Sequence, residues 1–217
     1  MAINLGKDPN ILILISFAEI LFVLVPSLIA AKIKNTTLIV EVKELGFNVK
    51  NSKLKNILLK ICAGILIGFF FFFISDILLT FYVRFIIQNL FGAQIIEEGI
   101  GNAISTSPVS PNFIQLSLLI AIQIIIIGPC EEAFFRGFII NKSKNKVKLI
   151  YSIILSSFLF TLYHVPPFLV PLTTIITFFG YYFTFGILLA LVFVAFKGSL
   201  LPSSIAHSSL NILLLIF

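Results

Sequence analysis

The chain has 217 residues, of which 59% are hydrophobic and only 11% charged, and its mean hydropathy is +1.13. A water-soluble domain carries about 25% charged residues, so this composition excludes one and leaves a polytopic membrane protein, read as all-α because its apolar runs are long enough for spanning helices. The net charge of +6 does not imply a nucleic-acid partner, because the lysines concentrate in loops between apolar runs, where membrane topology places them.

The first apolar run, Ile11–Ala31, is long enough to span a bilayer and too long for a signal-peptide core. It contains Pro26 and Glu19, and an acid at bilayer depth is a functional candidate by default. Lys32–Lys60 follows, with seven lysines, and within it Leu38–Asn48 reads as a surface loop or a short interfacial helix. Ile57–Phe91 is read as one long helix, interrupted by Asp76 and emerging from the bilayer near Arg84. Its Gly64 and Gly68 have the spacing that lets helices approach closely, and Phe69–Phe73 is lipid-facing or packing bulk. Gly92–Pro111 is polar and has no basic residue.

Asn112–Asn141 is the next helix, and Pro129 predicts a kink in it. Lys142–Lys148 supplies four lysines. Leu149–His164 is a further span, ended by Pro166, Pro167 and Pro171. Leu172–Phe196 is another, with Gly180 and Gly186 as packing points, and Leu200–Phe217 closes the chain. The basic loops Lys32–Lys60, Lys142–Lys148 and Lys197 alternate with loops lacking basic residues. This predicts an all-α membrane bundle of about six transmembrane helices with the basic loops cytoplasmic. Residues 1–110 are read as N-terminal membrane helices with a basic cytoplasmic loop and 111–217 as a second helical region of the same integrated membrane domain. Cys62 and Cys130 both lie in apolar runs and read as packing, not as a disulfide or a nucleophile.

Three polar sets break the apolar runs. In Gly128–Phe138, Glu132 and Arg136 are i, i+4 and share a helix face with the acid N-terminal, the favourable order. Glu131 points about 100° away and has no cation at i±3 or i±4. In F-T-L-Y-H, Phe160 and His164 are i, i+4, as are His207 and Asn211 in H-S-S-L-N, and these are the two histidines of the chain. Each set alone could be structural: an acid–Arg staple, a helix-end cap, interhelical glue. Counting about 1.5 Å per residue from the basic loops places all of them within roughly 10 Å of one depth, which favours one site. Residues of these types suit hydrolysis of an amide by water, which needs a base, an acid and donors for the developing oxyanion. Glu132 is held ionised by Arg136. Glu131, less compensated, is the carboxylate that takes up a proton more readily, which suits a general base. His164 is read as orienting the water, and His207 with Asn211 as aimed at the oxyanion. Ser203, Ser204, Ser208 and Ser209 lie near His207 but have no evident base–orienter pair, so a serine hydrolase ranks lower.

With these residues the chain resembles the CPBP family of intramembrane proteases, also called the CAAX-protease and bacteriocin-processing or self-immunity family. The motifs that carry the resemblance are E-E-x-x-x-R (Glu131, Glu132, Arg136), F-x-x-x-H (Phe160, His164) and H-x-x-x-N (His207, Asn211), in order and each on its own helix. The resemblance implies an all-helical endopeptidase in the cell membrane, prokaryotic by expectation, acting on a membrane-associated peptide or protein within the lipid bilayer. It also implies catalytic roles for Glu131, Glu132, Arg136, His164, His207 and Asn211. The cofactor is either none or a single zinc ion. Glu131, His164 and His207 are the ligand set if zinc is used, and glutamate-activated water is preferred. The alternatives are a non-catalytic immunity or scaffold protein and, ranked below it, a proton-coupled transporter.

Overall fold

The computed structural model describes residues 3–47 and 53–217; the end of the predicted Leu38–Asn48 segment, Asn48, lies outside them. Among the described residues eight helices follow one another: α1 Pro9–Lys34, α2 Leu38–Val42, α3 Leu54–Phe91, α4 Ala93–Gly101, α5 Phe113–Ser143, α6 Leu149–His164, α7 Leu172–Ala195 and α8 Leu200–Ile216. Four of them, α1, α3, α5 and α7, are long and apolar enough to cross a membrane. The other two apolar helices, α6 and α8, have 16 and 17 residues, at the short edge of what spans a ~30 Å hydrocarbon core. With α2 and the amphipathic α4 at the ends, the architecture is a multi-pass helical bundle.

Local chemistry sets the boundaries. Asp8 caps α1 by accepting from the Asn10 N–H at 2.9 Å, with Pro9 in the first turn. Asn112 and Gln115 form a reciprocal capping box at the start of α5. The kink expected at Pro129 takes the form of a widened, π-helical turn over Gln123–Ile127, directly ahead of Pro129. Proline has no N–H to continue the ladder, and a π turn is a common way to absorb the break. α3 is a single helix through Phe91 with a π-helical stretch at Phe81–Ile87.

Burying apolar surface does not drive helices together in lipid, so close packing of small residues must. Gly64 and Gly68 lie on α8: a Cβ at Gly64 would come within 2.9 Å of the Pro202 carbonyl, and one at Gly68 within 2.7 Å of the Ala206 carbonyl. Gly186 meets Ser157 in the same way, and Gly180 seats the Tyr82 ring. The Ser156 hydroxyl donates to the Phe135 carbonyl at 2.7 Å across α6 and α5. α5 therefore sits centrally. Phe135 and Ile139 join Phe71, Phe160, Phe185 and Leu210 in one core, while Ala133 and Ile140 join Leu45, Ala190, Phe193 and Leu200 in another. Leu14, Ile33, Leu66, Phe73 and Ile125, each at least 70% exposed, stand outward, as a lipid-facing surface requires and a water-facing one would not tolerate. In the Phe69–Phe73 run, Phe71 turns inward and Phe73 outward.

The loops sort to two ends. At one, Lys34 pairs with Glu41 and Glu44 at 2.9 and 2.7 Å, Lys142 reaches the same two acids at 3.2 and 3.4 Å, and Lys60 donates to the Ser199 hydroxyl at 3.0 Å. The segment expected as a surface loop or a short interfacial helix forms the short helix α2, with Ile39 and Val40 exposed, while Leu45 just after it is 1% exposed and its carbonyl abuts Gly137. At the other end, an isolated parallel bridge joins Asn4 to Ser105. Burial opposes ionisation of Glu41, but hydrogen bonds from Lys34, Thr36 and Lys142 outweigh it and hold its carboxyl below the usual range; Lys34 does the same for Glu44. A depressed folded-state value stabilises the fold above the unfolded glutamate value of ~4.3 and is lost as pH falls through the folded one. Detergent melts between pH 7 and pH 3 should therefore show a steeper acid loss in wild type than in Glu41→Gln, each half-exposed pair contributing about 0.2–1 kcal/mol. Parallel curves would remove the clamp from the stability account.

Candidate active site

Three helices bring the polar sets together. Glu131 and Glu132 follow the π turn of α5, His164 is the last residue of α6, and His207 lies in the middle of α8. Glu132 and Arg136 are both 0% exposed and approach to 2.9 Å. The Arg136 Nη1 contact is an ion pair without the alignment of a hydrogen bond, while Nη2 donates to the Gly186 carbonyl on α7 at 3.1 Å. The guanidinium also lies 4.6 Å from the centroid of Phe160, within cation–π range. Phe160, the aromatic of its motif, thus carries Arg136 and also packs on His164, ring centroids 4.2 Å apart.

Both histidines have their Nδ1 occupied. His164 Nδ1 lies 2.9 Å from the Phe160 carbonyl, which can only accept, so Nδ1 carries the proton. His207 Nδ1 lies 3.0 Å from Glu132 Oε1, the oxygen paired with Arg136, so it donates as well. In the neutral ring the second nitrogen is then an acceptor. Both Nε2 atoms sit 3.9 Å from Glu131 Oε2, which is buried and has no hydrogen-bond partner among the described residues. One ligand atom from each of Glu131, His164 and His207 lies within 4.8 Å of the others.

His207, expected to aim at the oxyanion, has its Nδ1–H directed to Glu132; in a neutral ring Nε2 is then an acceptor. Asn211 does not join the three-residue cluster and donates its Nδ2 to the side-chain carbonyl of Gln123 at 3.1 Å. The Gln123 backbone carbonyl accepts from Ser208 at 2.7 Å, and Ser203 is turned to the Leu200 carbonyl at 3.1 Å; no serine is hydrogen-bonded to His207 among the described residues. Glu19 of α1 accepts a hydrogen bond from Tyr163, the neighbour of His164. Sequence reasoning missed Gln123 and Tyr163. The signal for Gln123 was an uncharged amide inside an apolar run; Tyr163 had none beyond adjacency to His164.

The donor set fits a metal ion. Three acceptors converge on one spot, and a single neutral water can donate to only two of them. One of the three is then left over, and Glu131 Oε2 has no other hydrogen-bond partner among the described residues. Both imidazoles are also fixed by outer hydrogen bonds, one to a carboxylate and one to a backbone carbonyl, as ligating histidines usually are.

No curated protein and no solved structure matches the chain. Residues 113–213 match the family described as type II CAAX prenyl endopeptidase Rce1-like. That stretch holds α5 to most of α8 and with them all three motifs, and the match agrees with the resemblance of those motifs to the CAAX-protease (CPBP) family.

Proposed function

We propose that the chain is an intramembrane endopeptidase of the cell membrane that hydrolyses a peptide bond of a membrane-associated protein or peptide, as CAAX-type enzymes do. The observation that carries this reading is the buried, unpartnered Glu131 Oε2 facing two imidazole lone pairs at 3.9 Å. A water between these atoms donates a hydrogen bond to Glu131 and another to a histidine. As its oxygen bonds to the substrate carbonyl carbon, its proton passes to Glu131. The carbon–nitrogen bond then breaks, and Glu131 returns the proton to the leaving amine. Glu132 and Arg136 do not touch the reacting atoms: they orient His207, and Phe160 orients His164. Asn211 keeps a second N–H, and we assign it to the oxyanion, with Gln123 holding the amide in place.

Glu131, His164 and His207 would hold a zinc ion, leaving a fourth position open; bound there, it would act as a Lewis acid and make its water a stronger nucleophile at neutral pH. Exhaustive chelation separates the two forms of the site. Turnover that is lost and restored by zinc makes the three residues ligands, and unchanged turnover leaves the water to the side chains alone.

The function is tested by mass spectrometry of membrane peptides from cells carrying wild type or Glu131→Gln. Peptides present only with wild type identify the substrate; identical sets at equal expression refute the reading. On that substrate, Asn211→Ala should lose about 10²–10³ in turnover, the worth of one oxyanion donor. Gln123→Ala should lose less, and the two losses should not add, since both act through one amide. Fully additive losses would separate Gln123 from the site.

A further inference from the structure

A cavity of about 360 Å³ opens at the end of the bundle away from the lysine clusters and reaches His164. The ring of Tyr182, 4.7 Å from that of His164, stands beside it. Val170 and Phe178 line one side, and Ile104 and Asn4 the other. Among the described residues that line it, none is an acid, a lysine or an arginine. Its rim is fastened: the Ser105 N–H donates to the Ile3 carbonyl and the Leu5 N–H to the Ser105 carbonyl, both at 2.9 Å, and the Val109 N–H donates to the Gly6 carbonyl at 2.8 Å. Gly6 lies so close to the Ser107 carbonyl that a Cβ there would overlap it. The rim is therefore a preformed edge.

We infer that this cavity is the route by which a short, extended, uncharged stretch of a membrane-anchored polypeptide reaches the site, entering from the face of the bundle opposite the lysines. The inference rests on the peptidase reading for its substrate but not for its geometry. Size sets the extended form. The volume is at the low end of the ~300–1,000 Å³ of ligand pockets, and an intact helix, about 10–12 Å across, does not fit and keeps its carbonyls bonded to itself. Charge sets the composition: an ionised side chain would lose its water there with no counter-charge to meet it. The sorting of lysines sets the side. The end carrying Lys34, Lys60 and Lys142 is the cytoplasmic one by the positive-inside rule, so the mouth faces away from the cytoplasm.

The test reads access independently of turnover, using the full chain in lipid vesicles. Diethylpyrocarbonate acylates the free Nε2 of a neutral histidine, and peptide mapping reports it at His164. Wild type should be modified at His164. The blocked pentapeptide acetyl-Ala-Val-Ala-Val-Ala-amide should slow that modification, and the same peptide with a central lysine should not. Ala103→Trp, which fills the cavity from its wall, should slow it by about tenfold or more, the reagent then arriving only through local opening; Ala103→Ser should not. In sealed vesicles lacking Cys62, an impermeant maleimide should label Ala103→Cys from one side and Ser143→Cys from the other. Equal His164 modification with and without the uncharged peptide overturns the route, whether or not Ala103→Trp folds. Labelling of both cysteines from one side overturns the direction of entry. Loss of the peptidase reading, by unchanged membrane peptides with Glu131→Gln, would leave these access results standing and strike only the substrate.

Discussion

Glu131→Gln should fold as wild type does and lose about 10²–10⁴ in turnover, the usual worth of a positioned acid or base. The substitution keeps the shape of a side chain that is 4% exposed. It removes a carboxylate whose buried Oε2 has no hydrogen-bond partner among the described residues, so no hydrogen bond to that oxygen is lost. What it removes is the acceptor at the centre of the site. The amide cannot take the proton of an attacking water, and it is a poorer metal ligand than a carboxylate, so the loss is expected with or without zinc. His164→Ala and His207→Ala should fall to a similar floor, and combining either with Glu131→Gln should cost little more, because the three act on one water and such losses are far from additive. The decisive measurement is single-turnover cleavage of a verified substrate at equal folded protein. Full activity of Glu131→Gln would remove Glu131 from the chemistry and with it the assignment of the whole cluster.

What could be read in advance follows from how local each feature is. The bounds of α6 were legible because Lys148 and Pro166 flank a single apolar run, and the Glu132–Arg136 pair because i, i+4 spacing is enough to make it. The meeting of Glu131, His164 and His207 was legible only as a shared depth, since rise per residue is known but the direction in which each helix faces is not. The partners of the histidines were half legible. His164 bonds within its own turn, whereas His207 bonds to Glu132, 75 residues away. The Gln123–Asn211 contact spans 88 residues and depends on the π turn before Pro129, which shifts the facing of everything upstream. The burial of Leu45 against Gly137 was hidden for the same reason: a mixed-polarity segment states that it is amphipathic, not which neighbour covers it.

Arg136→Ala should be the most destabilising single change in the site, by about 3–5 kcal/mol, the cost of leaving one member of a buried ion pair without its partner. Arg136 is 0% exposed, and its removal takes away the ion pair to Glu132, the hydrogen bond to the Gly186 carbonyl and the contact with the Phe160 ring at once. These join α5 to α6 and α7, so the loss should appear as reduced folded yield in detergent and a lower Tm, where Glu131→Gln shows neither. Arg136→Lys keeps the charge but not the planar fork, so it should fall between the two. Replacing both partners, Arg136→Met with Glu132→Leu, removes the stranded charge and should recover much of the stability, as exchanging a buried pair for well-packed apolar residues often does. It should not recover turnover, because His207 Nδ1 then loses the carboxylate that fixes its proton and aims Nε2 at Glu131. The double variant thus separates the two tasks of the motif. Recovered stability with absent activity assigns Glu132 and Arg136 to positioning His207. If Arg136→Ala melts with wild type, the pair holds nothing together and its place in the motif must be catalytic.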